Sequence, residues 1–164
     1  MAFDTYVELT DIEGEATAES FEKKIEIFSF SWGASAPVNV GSGSAGISAS
    51  KVSISSFNVM KKTDKASPKL FKACCTGDHI TKMTVSMRKQ TGTGGQDVFL
   101  IYTFETVFVE SIQWSGSSGG DDTPTESVSF AFGKVTVEYK TQDKTGKLVA
   151  GTPVVWDVTK VSAK

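Results

Sequence analysis

The sequence predicts a mainly β protein, a compact β-barrel of two sheets with one short α-helix. Three observations predict it. Residues of high β propensity recur in seven runs, turn residues separate those runs, and one segment alone repeats convincingly at helical spacing. The 164 residues fit one domain, 1–164, and a composition 39% hydrophobic and 22% charged supports a buried core without metals or disulfides.

The runs are Phe3 to Leu9, Lys24 to Gly33, Lys51 to Met60, Ile80 to Lys89, Val98 to Trp114, Thr125 to Tyr139 and Leu148 to Val158. With Gly- and Ser-rich loops between them, they fit a closed or nearly closed barrel, or a sandwich. Two runs change phase midway. Val52 and Ile54 occupy even positions and Phe57 and Val59 odd ones, with Ser55-Ser56 at the switch. Around Gly133, the series Val128, Phe130, Phe132 gives way to Val135, Val137, Tyr139. A side-chain period of two shifts only where a strand bulges or its buried face changes, so bulges are expected at both places. The run Val98 to Trp114 would exceed ~50 Å if straight, and it is apolar on both faces. A second layer, either a helix or a neighbouring subunit, is expected over it.

For the helix, Ser67-Pro68 reads as an N-cap followed by proline at the first helical position. Leu70, Phe71, Cys74 and Cys75 follow at helical spacing, Gly77 stops the run, and Leu70, Phe71 and Cys74 are expected to face the barrel. Adjacent cysteines rarely make an unstrained disulfide, and two sulfurs alone cannot close a zinc site. Cys74 and Cys75 therefore read as small helix residues, at least one packed inward.

Several functions are disfavoured. No stretch approaches the ~18 apolar residues of a membrane helix. The opening Met-Ala-Phe-Asp-Thr-Tyr-Val-Glu has no basic, apolar or small-residue segments of a secretory signal, so folding in the cytosol is expected. The single histidine, His79, follows the helix stop without metal-ligand partners at suitable spacing. Glu105 and Glu110 fall on opposite faces of one predicted strand, and Asp121-Asp122 has no third ligand. Gly92-x-Gly94-Gly95 joins two strands and has no following Lys-Ser/Thr, so it is not a phosphate loop. The expectation is no enzyme, no cofactor and no metal.

Charge is more informative. Residues 51–90 carry nine Lys/Arg against two acids, Asp64 and Asp78, whereas the first thirty carry eight acids and only Lys23 and Lys24. Lys61, Lys62, Lys65, Lys69 and Lys72 could form a phosphate-contacting face, a solvated helix face, or one half of a self-association surface. No exposed aromatic ladder accompanies them, and nucleic acid is not the expected partner. Between Glu26 and Lys51 there is no charged residue, and Gly33 to Ser50 is almost entirely small residues. A segment so long and uncharged suggests a surface that orders against a partner.

Several segments resemble one family. MAFDTYVELTDIEGEA is similar to the N-terminal strand and turn of the haemolysin-coregulated proteins (Hcp) of type VI secretion. IEIFSFSWG resembles that family's second strand, and KKTDKASPKLFKACCTG its short helix region. TVSMRK and TESVSFAFGKVTVEY resemble its later strands, so the likeness spans nearly the whole chain in the family's order.

The resemblance implies a barrel flanked by a helix, shared with phage tail tubes. It implies hexameric rings stacked into a tube, driven out by a contractile sheath behind a spike, with effector proteins as cargo. It therefore implies a cytoplasmic protein that becomes extracellular without a signal peptide and inserts in no membrane. A tail-tube protein of another contractile particle is the alternative, and a nucleic-acid-binding barrel a more distant one. Ser29 and Ser31 would line the lumen while Phe28, Phe30 and Trp32 point to the core. Val38, Asn39, Val40, Gly41, Ser42, Gly43, Ser44, Ala45, Gly46, Ile47 and Ser48 would form the loop that stacks on the next ring.

Overall fold

The computed structural model describes residues 3–40, 47–92, 94–120 and 122–163, and the main path of strands through them returns to its start. In chain order the strands are β1 (Asp4–Leu9), β2 (Ile25–Ile27), β3 (Ser29–Ser31), β4 (Ala34–Ser35), β5 (Val38–Val40), β6 (Ile47–Ala49), β7 (Ser53–Ile54) and β8 (Phe57–Lys62). Helix α1 (Ser67–Thr76) follows, then β9 (Ile80–Gln90), β10 (Gln96–Ser115), β11 (Thr125–Gln142), β12 (Leu148–Ala150) and β13 (Val154–Asp157). The nine-stranded sheet runs β2-β1-β9-β10-β11-β8-β3, with β12 and β13 also paired to β11. Its two end strands, β2 and β3, are separated in the chain by Phe28 alone, whose N–H donates to the Met60 carbonyl at 3.0 Å. The run Ile25–Ser31 thus bridges both ends and closes a barrel. The two strand pairs β4–β7 and β5–β6 stand apart from it.

The core fills the barrel with side chains such as Phe57, Leu70, Met83, Val85, Phe104 and Val107. Trp32 packs edge-on against Tyr102, Phe104 and Phe132. Phe30 stacks on Phe57. Phe28 does not join them: it is 59% exposed, because it sits at the crossing between β2 and β3 where the alternation breaks.

The two predicted phase changes are real but differ in form. At Ser55-Ser56 the strand ends: β7 pairs with β4, whereas β8 pairs with β11 and β3. At Gly133 the strand continues, and β10 and β11 remain in step from Glu105↔Lys134 to Val107↔Phe132. Thr106 lies between those pairs with φ 54°, a conformation that costs a β-branched residue on the order of 1–3 kcal/mol. Burial changes parity in both strands together, from Phe104 and Val135 to Val107 and Phe130. Beside Gly133 the outer neighbour of β11 changes from β8 to β13. A Cβ on Gly133 would meet the Thr106 Cβ at 3.4 Å, a close but ordinary contact. True bulges occur elsewhere, between Val98 and Leu100 and between Val109 and Ser111 of β10.

The helix occupies the predicted segment with two corrections. Ala66 is the N-cap residue and makes no side-chain cap, so Ser67 is the first helical residue and Pro68 lies within the first turn. Phe71 is 49% exposed and packs beside Trp114 of β10, while Leu70 is the residue fully buried. Gly77 ends the helix at φ 71°, its N–H donating to the Ala73 carbonyl. The predicted second layer over β10 is thus supplied in part by α1, with the Cys74 thiol 3.7 Å from the Glu110 carbonyl.

Candidate assembly surfaces

Beyond Trp32 the chain leaves the barrel as an arm. β4 pairs with β7 at its base, and β5 pairs with β6 further out through Val38↔Ala49, Asn39↔Ser48 and Val40↔Ile47. The base is clamped where the Gly33 N–H donates to the Ser55 hydroxyl at 2.8 Å and the Ser55 N–H to the Gly33 carbonyl at 2.9 Å. The predicted loop is therefore a hairpin, at least over Val38–Val40 and Ile47–Ala49; Gly41 to Gly46 lie outside the described residues. Val38, Val40 and Ile47 are 53%, 74% and 76% exposed. Aliphatic side chains held in paired strands away from any core are the mark of a surface awaiting a partner.

Ser29 and Ser31 are both exposed, on either side of the half-buried Phe30. Register adds neighbours that sequence reasoning missed. Ser29, Met60 and Ser127 stand in one cross-strand row, and Ser31, Asn58 and Ser129 in the next, because β8 pairs with both β3 and β11. The Ser129 hydroxyl donates to the Asn58 side-chain amide oxygen, Oδ1, at 2.5 Å. The row between them, Phe30, Val59 and Val128, points inward. The result is an uncharged patch in which Met60 stands among small polar groups. Its signal was present in the alternation Ser127, Val128, Ser129, Phe130, but nothing local said which strand would lie beside β3.

The basic segment behaves differently from expectation. Lys61 is 1% exposed and stands directly opposite Glu126, itself 1% exposed, in the β8–β11 register. Its ammonium reaches Glu126 Oε1 at 2.5 Å and Asp64 Oδ1 at 2.9 Å. The Ser67 hydroxyl donates to Glu126 Oε1 at 2.9 Å, so the first residue of α1 joins the same cluster. A buried Lys cannot contact phosphate, which removes Lys61 from the proposed basic face. Other charges are matched within the chain as well. Lys65 pairs with Glu13 at 3.1 Å, Lys24 with Glu8 at 2.9 Å and Lys134 with Glu105 at 3.0 Å. Lys69 donates to the Asp11 carbonyl at 3.1 Å. Two of these contacts tie the acidic N-terminal segment to the lysines near α1, Lys65 to the Glu13 carboxylate and Lys69 to the Asp11 backbone. This weakens the charge split as an argument for self-association.

That segment needs a glycine to make the fold. A Cβ on Gly14 would lie 2.4 Å from the Lys24 carbonyl oxygen, since the chain there runs backbone to backbone beside Lys23 and Lys24, the Gly14 N–H donating to the Lys23 carbonyl and the Ala16 N–H to the Lys24 carbonyl. Glu13 holds its carboxyl below the usual carboxylate range, chiefly through the hydrogen bond from Lys65 and then the charge of Lys23.

No reactive constellation gathers among the described residues. His79 is exposed beside the Phe108 ring, and no group of three His, Cys, Asp or Glu side chains could hold a metal there. Glu105 and Glu110 serve separate partners, Lys134 and the Ser56 hydroxyl. The parity argument that set them on opposite faces fails, because the strand changes phase at Thr106 between them. Cys74 and Cys75 are free thiols, the first partly buried and the second exposed. No helix among the described residues is long and apolar enough to cross a membrane.

The family model described as type VI secretion system effector, Hcp, matches residues 6–139. The chain belongs to the Hcp family. Protein hcp1 of Pseudomonas aeruginosa is 34% identical over 146 residues, covering 89% of this chain and 88% of that protein. The structure of a type six secretion system protein superposes with a TM-score of 0.92 at 36% identity, covering 99% of this chain and 100% of its own. Hcp1 from Salmonella typhimurium gives 0.79 at 29% identity, with both chains covered in full. A type VI secretion system effector from Yersinia pestis gives 0.72 at 26% identity, covering 94% of this chain and all of that one. The likeness covers nearly the whole chain, so the barrel, the helix and the arm belong to a fold shared with Hcp structures, and the role of this chain lies in type VI secretion.

Proposed function

We propose that residues 1–164 form one tube domain, which assembles as hexameric rings stacked into the inner tube of a type VI secretion system. A contractile sheath would expel the tube behind its spike, carrying the protein from the cytoplasm to the exterior, with effector proteins held in the lumen. The observation that carries this reading is the arm. It is uncharged, paired in strands and studded with exposed aliphatic side chains in a chain of the Hcp family. Such an arm gains stability by covering those side chains on another molecule, and no ion need be desolvated to do it.

In this assembly Ser29 and Ser31 face the lumen with Asn58, Ser127 and Ser129. A wall of neutral side chains, small and polar apart from Met60, tolerates varied cargo because it imposes neither a large apolar patch nor a fixed charge. The role is that of a structural subunit, requiring no catalytic group.

Deleting Val38 to Ser48 tests the stacking role. Native mass spectrometry should still show rings, while electron microscopy should show no stacks. Loss of the rings themselves would move that contact into the ring, and a full-length chain that stays monomeric at micromolar concentration and low salt would overturn the tube.

A further inference from the structure

At the foot of the arm lies a cleft of about 330 Å³ that the reading above does not use. One wall is Trp32, Ala34, Val52 and Ile54, from the arm base; the other is formed by β11 and β13, including Val154 and Trp156. Every lining residue is apolar. Val154 is 64% exposed on the rim, whereas Val135 at the floor is buried, so the cleft is open and has depth. Its volume sits at the small end of the range for binding pockets, which begins near ~300 Å³.

We infer that this cleft receives the arm tip of a second copy of the chain, with Val40 and Ile47 as the inserted side chains. The tip and the cleft are matched in chemistry. Neither contains a charge, as the stretch from Ile27 to Ser50 has none and the cleft has none. Val40 and Ile47 face one another across β5 and β6 and are the most exposed large aliphatic pair of the arm. The chain's own cleft does not take them, for its wall is the base from which the arm departs and the tip side chains remain exposed. A tip on one copy and a cleft on the next make a head-to-tail contact. Made between rings, that contact leaves one set of tips and one set of clefts unused at the ends of the stack and so propagates. An inserted tip would also lie beside the neighbour's own arm base, so each docked arm would brace the following one.

The inference rests on the stacking role of the arm, and the test separates the two. Val40→Cys and Val154→Cys are introduced singly into full-length chains carrying Cys74→Ser and Cys75→Ser, mixed, and oxidised mildly under conditions where the unaltered chain stacks. The expected result is one disulfide-linked dimer in the mixture and none in either variant alone. The double variant should give a ladder of linked chains on a non-reducing gel. Stacks that persist in electron micrographs without the mixed dimer would overturn the cleft as acceptor while leaving the stacking role intact. A Val40→Cys homodimer would overturn it too, by showing tip-to-tip pairing. Stacks that survive deletion of Val38 to Ser48 would remove the underlying role itself. As a second measure, Val154→Glu should abolish stacking with rings retained, and unimpaired stacking would count against the cleft.

Discussion

The barrel interior and the arm invert the usual placement of side chains. Inside, Lys61 and Glu126 are each 1% exposed; outside, Val40 and Ile47 are 74% and 76% exposed. The interior charges are locally complete, because Lys61 has Glu126 and Asp64 within 2.9 Å and Ser67 satisfies the same carboxylate. The arm aliphatics have no such completion within the chain. The difference separates two kinds of stability: one region is finished by intramolecular contacts, and the other only by association.

Breaking the interior should have the largest effect. Lys61→Met leaves the Glu126 carboxylate buried and unpaired, and should lower the unfolding free energy by about 3–5 kcal/mol in urea titrations. Adding Glu126→Leu should restore most of that loss, since a well-packed apolar pair often matches a buried ion pair. A single-variant loss below about 1 kcal/mol would mean that water reaches the cluster. Next in size is Gly77→Ala, which puts a Cβ at φ 71° and should cost about 1 kcal/mol in the same assay.

The arm should respond in the opposite sense. Val40→Ser with Ile47→Ser should leave monomer stability within about 0.5 kcal/mol while sedimentable assemblies disappear. A marked fall in the melting temperature would instead make the arm part of the folded core and dissolve the comparison. The smallest effect belongs to the exposed ion pairs. Glu13 has a lowered pKa, so its contribution is full above the ordinary carboxylate pKa and is lost as pH falls through the lowered value. Glu13→Gln should flatten that part of the acid-side stability profile slightly, which a pH series of thermal melts would detect.

Much of this architecture was legible in the residues. Alternation placed β1, β9, β10 and β11 to within about three residues, and Ser55-Ser56 and Gly133 marked places where burial changes parity. The absence of charge between Glu26 and Lys51 singled out the arm. What went astray shares a cause. Phe28 and Phe71 have the right spacing for the core but stand at a crossing and on the outer flank of α1, positions set by the path of other strands. Lys61 looked like surface because lysine usually is; its burial depends on Glu126, 65 residues away.

The sequence by itself determined the element types, the turns and the uncharged arm, because these depend on side-chain period, on backbone freedom at glycine and proline, and on local composition. Only the tertiary structure decided which strands are neighbours. From that came the closed path through Ile25–Ser31, the row that sets Ser127 and Ser129 beside Ser29 and Ser31, and the apolar cleft between the arm base and β13. Periodicity says which face of a strand is buried, but the partner on each edge is chosen by the packing of the whole barrel.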